Sequence, residues 1–355
     1  MSRGNVSPLP WEVSVSDPQR ATLTSVAREA RVSRQTVSNV LNAPERVRPE
    51  TRERVLTAID QLDYRPHQAA RQLRTRRSRV IGLRIEPVRD GINGVVLHRF
   101  LHALTTTAQQ TGYRIMLFTA DDDAAEIRAY HELVSTLDLD AFVLTGTHHG
   151  DVRTAWLRDG GIPFVTFGRP WGAEDEHAWV DVDGAAGTRA AVEHLAGQGH
   201  RRIGFVGWPP GSGVGDDRRA GWHGGLVAHG LPTHGLDVQV PDGMESGRYA
   251  AARLLDRPGP PTGVVCASDS LALGVLTELQ HRGLRPGVDV AVVGFDDTPA
   301  AAIGLSSVSQ PTTEAAEACV RQLRPLLDGA PASPTRQILL RPRLVVRASS
   351  AAPPP

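Results

Sequence analysis

The sequence predicts a small all-α head, built round a helix-turn-helix, joined to a two-lobed α/β body. Three observations support this fold class. Short runs of helical periodicity fill residues 22–62, and short β-branched runs alternate with longer helical stretches after Val80. The charge also changes sign between the two parts. Residues 20–79 hold 14 Arg and 6 acidic residues, whereas the rest of the chain holds 25 basic and 33 acidic residues. A basic segment on an acidic body points to a polyanion-binding head attached to a domain with a different task.

The bulk composition narrows the class. The chain has 355 residues, 40% hydrophobic and 22% charged, which fits two or three globular domains. No run approaches the roughly 18 apolar residues of a membrane span. Residues 1–21 lack the continuous apolar core of a secretory signal and read as a disordered tail. Cys266 and Cys319 stand far apart among apolar neighbours, with no metal or redox spacing, and fit a reducing cytoplasm. All 39 basic residues are Arg, so a Walker A phosphate loop and a Schiff-base lysine are excluded.

In the head, Val26, Ala27 and Ala30 share one helix face. Val32 lies in a short turn, and Ser33 is a good N-cap for a second helix whose inner stripe is Val37, Val40 and Leu41. Pro49 opens a third helix carrying Val55, Ile59 and Leu62. Three short helices with a tight turn between the first two describe a helix-turn-helix, whose second helix enters the major groove. Arg34, Gln35, Ser38 and Asn39 face outward on that helix. Arg can donate twice to guanine, and Gln can pair bidentately with adenine. Ser33, Thr36, Ser38 and Asn42 suit phosphate oxygens, which set register without reading sequence. The bland alternative is a solvated surface helix; the basic charge and the three-helix pattern argue against it.

Residues 67–74, HQAARQLR, have helix-forming composition but span only two turns. Helices this short are marginal in water and fold only against something. In the body, seven strands are expected at 80–85, 113–119, 141–146, 163–168, 202–207, 263–268 and 290–296. Continuous apolar strands separated by helices mean buried parallel sheets, and about 270 residues are too many for one. Ligands in such folds bind beyond the carboxyl ends of strands, which singles out Gly168-Arg169, Ser268-Asp269 and Asp296-Asp297. Asp296 could alternatively cap a helix beside Thr298, and Arg218 could be a surface ion-pair partner. His148-His149 and Asp121–Asp123 read as a solvated turn and a capping loop, so no metal and no cofactor is expected. The glycine-rich stretch 207–217 reads as a loop near the pocket. No G-x-S-x-G, metal cluster or paired-carboxylate site favours a sugar-processing enzyme.

From Thr22 to Leu73, TLTSVAREARVSRQTVSNVLNAPERVRPETRERVLTAIDQLDYRPHQAARQL resembles the DNA-binding head of the LacI/GalR family of bacterial repressors. The carrying motifs are T-L-x-x-V-A, V-S-x-x-T-V-S-x-V-L-N, T-R-x-x-V, Y-x-P and A-x-x-L. The resemblance implies that Arg34, Gln35 and Asn39 read bases. Members often carry Arg where this chain has Asn39, so a relative's operator sequence does not carry over. Leu23 and Thr51 join Ser33, Thr36, Ser38 and Asn42 as expected DNA-backbone contacts. The family places a hinge helix at 67–74, with Ala70 and Leu73 in the minor groove, where an apolar wedge kinks the duplex. The alternative is that both residues pack on the effector domain.

Over roughly 79–347 the body resembles the family's effector domain, itself similar to periplasmic sugar-binding proteins, through HLAGQGHRRIGFVG, RRAGW, ASDSLALGVL and VAVVGFDD. By this resemblance Arg218 and Asp296 hold adjacent sugar hydroxyls; Asp269, Ser268 and Arg169, singled out by their strand-end positions, are expected to join them in the effector site. Ser268 stands where members often have Asn. Trp179 is either an aromatic platform beneath a sugar ring or packing between the lobes. FGRPW at 167–171 is similar to a subgroup associated with glucosides or other oligosaccharides. The implied domains are a tail at 1–21, the head at 22–64, a hinge and linker at 65–78, the effector and dimerisation domain at 79–347, and a disordered tail at 348–355. Lobe 1 is expected at about 79–180 and 311–335, and lobe 2 at about 181–310 and 336–347. The expected partners are double-stranded operator DNA, a small-molecule sugar and a second copy of the chain, without a membrane, in a cytoplasmic, nucleoid-associated regulator. A corepressor or a protein partner in place of an inducing sugar remains an open alternative.

Overall fold

The computed structural model describes residues 21–64, 77–86, 94–172, 177–328 and 337–351. The chain divides into two compact units, Met1–Arg77 and Ser78–Pro355.

The first unit holds α1 (Leu23–Glu29), α2 (Arg34–Asn42) and α3 (Pro49–Gln61). With 7 residues, α1 is too short to persist alone and depends on its cap and its packing. Thr22 Oγ1 accepts from the Ser25 N–H at 3.2 Å, and Ser25 Oγ accepts from the Thr22 N–H at 2.8 Å. This reciprocal pair is a capping box. The turn passes through Arg31 at φ 53°, and Ser33 then caps α2 by accepting from the Thr36 N–H at 3.0 Å. Val26, Ala27, Val37, Val40, Val55 and Tyr64 form the buried centre on which the three helices meet.

The second unit begins with β1 (Val80–Arg84), α4 (Gly94–Gln110), β2 (Arg114–Phe118), α5 (Asp123–Leu137), β3 (Ala141–Leu144), α6 (Val152–Asp159), β4 (Phe164–Phe167) and β5 (Trp179–Val182). It continues through α7 (Gly184–Gly197), β6 (Ile203–Gly207), α8 (Gly213–Ala228), β7 (Asp237–Gln239), α9 (Met244–Leu255), β8 (Gly263–Cys266), α10 (Asp269–His281), β9 (Ala291–Phe295) and β10 (Ser306–Ser309). Next come α11 (Thr312–Leu327), β11 (Gln337–Leu340) and β12 (Arg343–Val345). Two six-stranded sheets result, in the orders β11-β5-β4-β3-β1-β2 and β12-β10-β9-β8-β6-β7. All pairings are parallel except β10 with β12. The chain therefore passes between the sheets after β5, after β10 and after β11, which makes two lobes joined by three crossings. In lobe 1, Phe100 and Leu104 of α4 pack with Cys319 and Leu323 of α11, and Tyr130, Phe142 and Leu157 form a second cluster. Trp222, Leu226, Leu254 and Leu271 anchor the core of lobe 2. Among the described residues, no helix is long and apolar enough to cross a membrane.

All seven expected strands are present, but the lobe boundaries differ from expectation. Residues 337–340, expected in lobe 2, pair with β5 in the sheet of lobe 1, and β5 itself runs on to Val182. The terminal tail, expected to be disordered from residue 348, is packed through Ser350. Ser349 is 4% exposed; its carbonyl accepts from the Val292 N–H at 2.7 Å and its hydroxyl accepts from the Ser306 N–H at 2.8 Å. Small side chains, which read as disorder in isolation, are here what fits a narrow buried slot. Gly287 shows how narrow: a Cβ there would overlap the Ala348 carbonyl oxygen. Of residues 207–217, expected as a loop near the pocket, 208–212 are one; Gly207 ends β6 and 213–217 open α8, with Ser212 capping the Gly215 N–H at 3.2 Å.

Candidate functional site

In the head, α2 presents the side chains expected to touch DNA. Its buried stripe leaves Arg34 and Gln35 exposed and Ser38 and Asn39 half-buried. Gln35 Nε2 donates to Asn39 Oδ1 at 3.1 Å, so these two amides, one turn apart, orient one another. Ser33 Oγ lies 2.9 Å from Thr36 Oγ1 while serving as the helix cap, and Thr51 sits half-buried in the first turn of α3. Leu23 packs against the head core. The Asn42 side chain, Ala70 and Leu73 lie outside the described residues.

In the second unit a cleft of about 500 Å³ lies between the lobes. It gathers the carboxyl ends of strands from both sheets, where parallel α/β folds place ligands. Thr145 and Thr147 follow β3, Arg169 and Trp171 follow β4, and Asp181 comes from β5. Lobe 2 contributes Trp208, Asp217, Arg218, Asp242 and Asp296. The cleft shares Glu86, Leu97, Thr145, Trp208, Ser212 and Asp242 with an adjoining cavity of about 830 Å³ beside α4.

Arg218 and Asp296, paired by expectation from opposite ends of lobe 2, meet here. The Arg218 guanidinium lies over the ring of Phe295, with Cζ 3.7 Å from its centroid, and over that of Trp208 at 5.2 Å. It donates to the Ala267 carbonyl, and its Nη2 lies 3.5 Å from Asp296 Oδ1. Asp296 has φ 104° and Asp297 φ 46°, backbone conformations that L side chains seldom take and that cost on the order of 1–3 kcal/mol each. The strained turn is held from several sides. Gln310 Nε2 donates to Asp296 Oδ1 at 2.7 Å, Arg347 Nη2 to Asp297 Oδ1 at 2.7 Å, and Arg99 Nη1 to the Asp297 carbonyl at 2.9 Å. Burial pushes the Asp296 carboxyl above the usual range, against the opposing effects of Arg218 and Gln310.

Arg169 spans the lobes. Its Nε lies 2.7 Å from Asp181 Oδ2 in lobe 1, and its Nη2 lies 3.1 Å from Asp217 Oδ2 in lobe 2. Burial raises the Asp217 carboxyl more than Arg169 and the Ala185 N–H lower it. Trp171, at φ 26°, packs on the backbone of Gly213 at the start of α8, where a Cβ would sit 2.3 Å from the ring. Five buried polar atoms of the lining have no partner among the described residues: the hydroxyls of Thr145 and Thr147, Nε1 of Trp171 and Trp208, and Nε of Arg218. Unmet buried donors are costly, so their convergence marks a place built for a polar ligand.

Three expected effector residues do not line the cleft. Trp179 opens β5 as a buried side chain that is not part of the lining, and the tryptophans at the cleft are Trp171 and Trp208. Ser268 caps α10 and donates to Asp242, which does line it. Asp269 is fully buried and accepts from the Thr298 N–H at 2.7 Å, the Thr298 hydroxyl at 2.8 Å and the Ser307 hydroxyl at 2.6 Å. It thereby clamps the residue that follows the Asp296–Asp297 turn. Desolvation, with help from Asp296, pushes its carboxyl up to about 6. Trp171 was visible in FGRPW and Trp208 in the glycine-rich stretch, but neither motif says that its ring faces a cavity. Near the cleft, His148 Nε2 lies 3.0 Å from Asp123 Oδ2, and with Asp151 these residues form a three-ligand cluster. Arg153, itself fully buried, lies 2.7 Å from Asp151 and 3.6 Å from Asp123 and already supplies the cluster with positive charge.

Residues 22–67 match the model for bacterial regulatory proteins of the lacI family, and residues 192–350 match that for a periplasmic binding protein-like domain. The HTH-type transcriptional regulator CelR of Thermobifida fusca is 33% identical over 342 residues, covering 93% of this chain and 98% of CelR. The chain belongs to the lacI family of bacterial regulatory proteins. The structure of a transcriptional regulator CelR–cellobiose complex is 30% identical and superposes with a TM-score of 0.69 over 93% of this chain and all of the other. A lac repressor dimer bound to operator and the anti-inducer ONPF, 26% identical, superposes with a TM-score of 0.81, covering 94% of this chain and 100% of the repressor. The chain is accordingly a helix-turn-helix transcriptional regulator with a periplasmic-binding-protein-like body.

Proposed function

We propose that this regulator is a dimeric repressor of carbohydrate uptake or catabolism genes, released from its operator by a sugar bound between the effector lobes. The observation that carries the reading is the cleft itself, where Arg218 and Asp296 sit among five unpartnered polar atoms beside two tryptophans. Charged side chains form charge-assisted bonds to adjacent hydroxyls, and indole rings cover the apolar face of a pyranose. The CelR–cellobiose complex supports the same class of ligand. Arg34, Gln35 and Asn39 read base edges, and Leu23, Ser33, Thr36, Ser38, Asn42 and Thr51 hold the backbone. The sugar favours one lobe arrangement by its differential affinity. That arrangement alters the spacing of the two hinge segments, residues 67–74 melt, and Ala70 and Leu73 leave the minor groove. A coupling of about 1–3 kcal/mol, roughly 5–150-fold in operator affinity, is typical of such systems. A thermal-shift screen of sugars, followed by operator release with the best hit, tests the reading. If Arg218→Ala still releases DNA at the wild-type sugar concentration, the cleft is not the effector site.

A further inference from the structure

The charge of the cleft says which sugars it admits, an inference that rests on the sugar-effector reading above. Among the described residues the lining holds five carboxylates, from Glu86, Asp181, Asp217, Asp242 and Asp296, and two guanidinium groups, from Arg169 and Arg218. The formal balance is −3 with every carboxylate ionised and His148, which also lines the cleft, neutral; it stays negative, at −1, if His148 and Asp296 both take up a proton. Both guanidinium groups already face carboxylates of the cleft. Arg169 is shared between Asp181 and Asp217 at 2.7 and 3.1 Å. Arg218 lies over Phe295 with Nη1 on the Ala267 carbonyl and Nη2 facing Asp296. Arg84, on the adjoining cavity, pairs with Glu86 at 2.9 Å and Glu126 at 3.1 Å.

What the cleft offers instead is a set of isolated donors and acceptors. The Nε1–H groups of Trp171 and Trp208 and the Nε–H of Arg218 each have one bond to give, and the hydroxyls of Thr145 and Thr147 are unpartnered. Sugar hydroxyls suit this set, because each accepts one such bond and donates to a neighbouring carboxylate. A phosphate, sulfate or carboxylate needs several donors at one point and would meet a net negative field in a half-buried site. We propose that the cleft selects an uncharged sugar and rejects phosphorylated, sulfated and uronic sugars, with Glu86 as one of the residues that enforces the choice.

The test is calorimetric titration of the full-length chain with a panel of neutral mono- and disaccharides, cellobiose and maltose included, and their 6-phosphates and uronic acids. The best neutral sugar should bind at least about tenfold more tightly than its anionic counterparts. Glu86→Gln removes one negative charge and frees a donor of Arg84, so it should narrow that ratio severalfold. An anionic sugar that binds as tightly as its neutral parent overturns the charge selection and leaves the sugar reading standing. Binding of neither set overturns both. If Glu86→Gln fails to fold, the wild-type ratio alone decides the charge selection.

Discussion

The Arg218–Asp296 pair allows a prediction whose magnitude follows from its geometry. At 3.5 Å and an effective dielectric constant of about 20, the two charges attract by about 5 kcal/mol. Their side chains are only 6% and 10% exposed, so desolvation consumes much of that gain. The upward displacement of the Asp296 carboxyl shows which effect prevails there: burial outweighs both Arg218 and Gln310. The pair as a whole therefore adds little stability, yet removing one partner leaves a buried charge without its counterion. Arg218→Ala should cost about 3–5 kcal/mol of unfolding free energy at pH 7. Arg218→Ala combined with Asp296→Asn should cost about 2–3 kcal/mol less than the sum of the two single variants. The pH sign is also determined. Loss of Arg218 raises the Asp296 carboxyl further, so the penalty for Arg218→Ala is largest above that displaced value and shrinks as pH falls and the carboxyl is protonated. Urea unfolding of the four proteins without ligand, at pH 5 and pH 7, measures both effects. Strictly additive single and double variants, or an Arg218→Ala penalty independent of pH, would refute the reasoning.

The remaining predictions concern the head, the carboxyl terminus and a buried acid. Gln35→Ala and Asn39→Ala should each weaken binding at the cognate operator by about 1–3 kcal/mol, and less than additively together because of their mutual hydrogen bond; quantitative operator titration at fixed salt would expose full additivity. Truncation before Ser349 strands the buried Val292 and Ser306 N–H groups, at about 1–3 kcal/mol each, whereas truncation before Ala352 should leave the urea midpoint unchanged. Equal midpoints for the two truncations would show that the terminal packing contributes nothing. Asp269 titrates near 6 when folded against 3.8 unfolded, so between these values the folded state binds more protons and stability is lost as pH rises. Relative to Asp269→Asn, the wild type should lose about 3 kcal/mol between pH 4 and pH 7, and a pH-independent difference in unfolding free energy would contradict this.

Much of the architecture was legible because it rests on local physics. Val26, Val37 and Val55 recur at helical spacing, Ser33 is a cap, and apolar runs such as GVVC and AVVGF need no partner to read as buried strands. The sequence alone therefore determined a helix-turn-helix head, a parallel α/β body and the outward face of α2. It also marked Arg218 and Asp296, through motifs that resemble a family. Strands β5, β7, β10, β11 and β12 were not legible, since WVDV and SSVS contain polar residues whose burial depends on distant partners. Ser306 and Ser307 are buried only because Arg347, Ser349 and Asp269 receive or supply their hydrogen bonds.

The cleft shows the same division. Its residues lie on strands from two sheets, and three chain crossings decide which ends face one another. Only the tertiary structure could separate Trp171 and Trp208, which line the cleft, from Trp179, which is buried elsewhere. Nor could local pattern reveal that Ser268 and Asp269 stand one layer behind, holding Asp242 and the Asp296–Asp297 turn in place. A side chain's type is written in the chain, but its partners are distant in it, 26 residues away for Ser268 and Asp242 and 78 for Arg218 and Asp296. Whether a carboxylate touches ligand or braces its neighbour is therefore settled only when the lobes have folded.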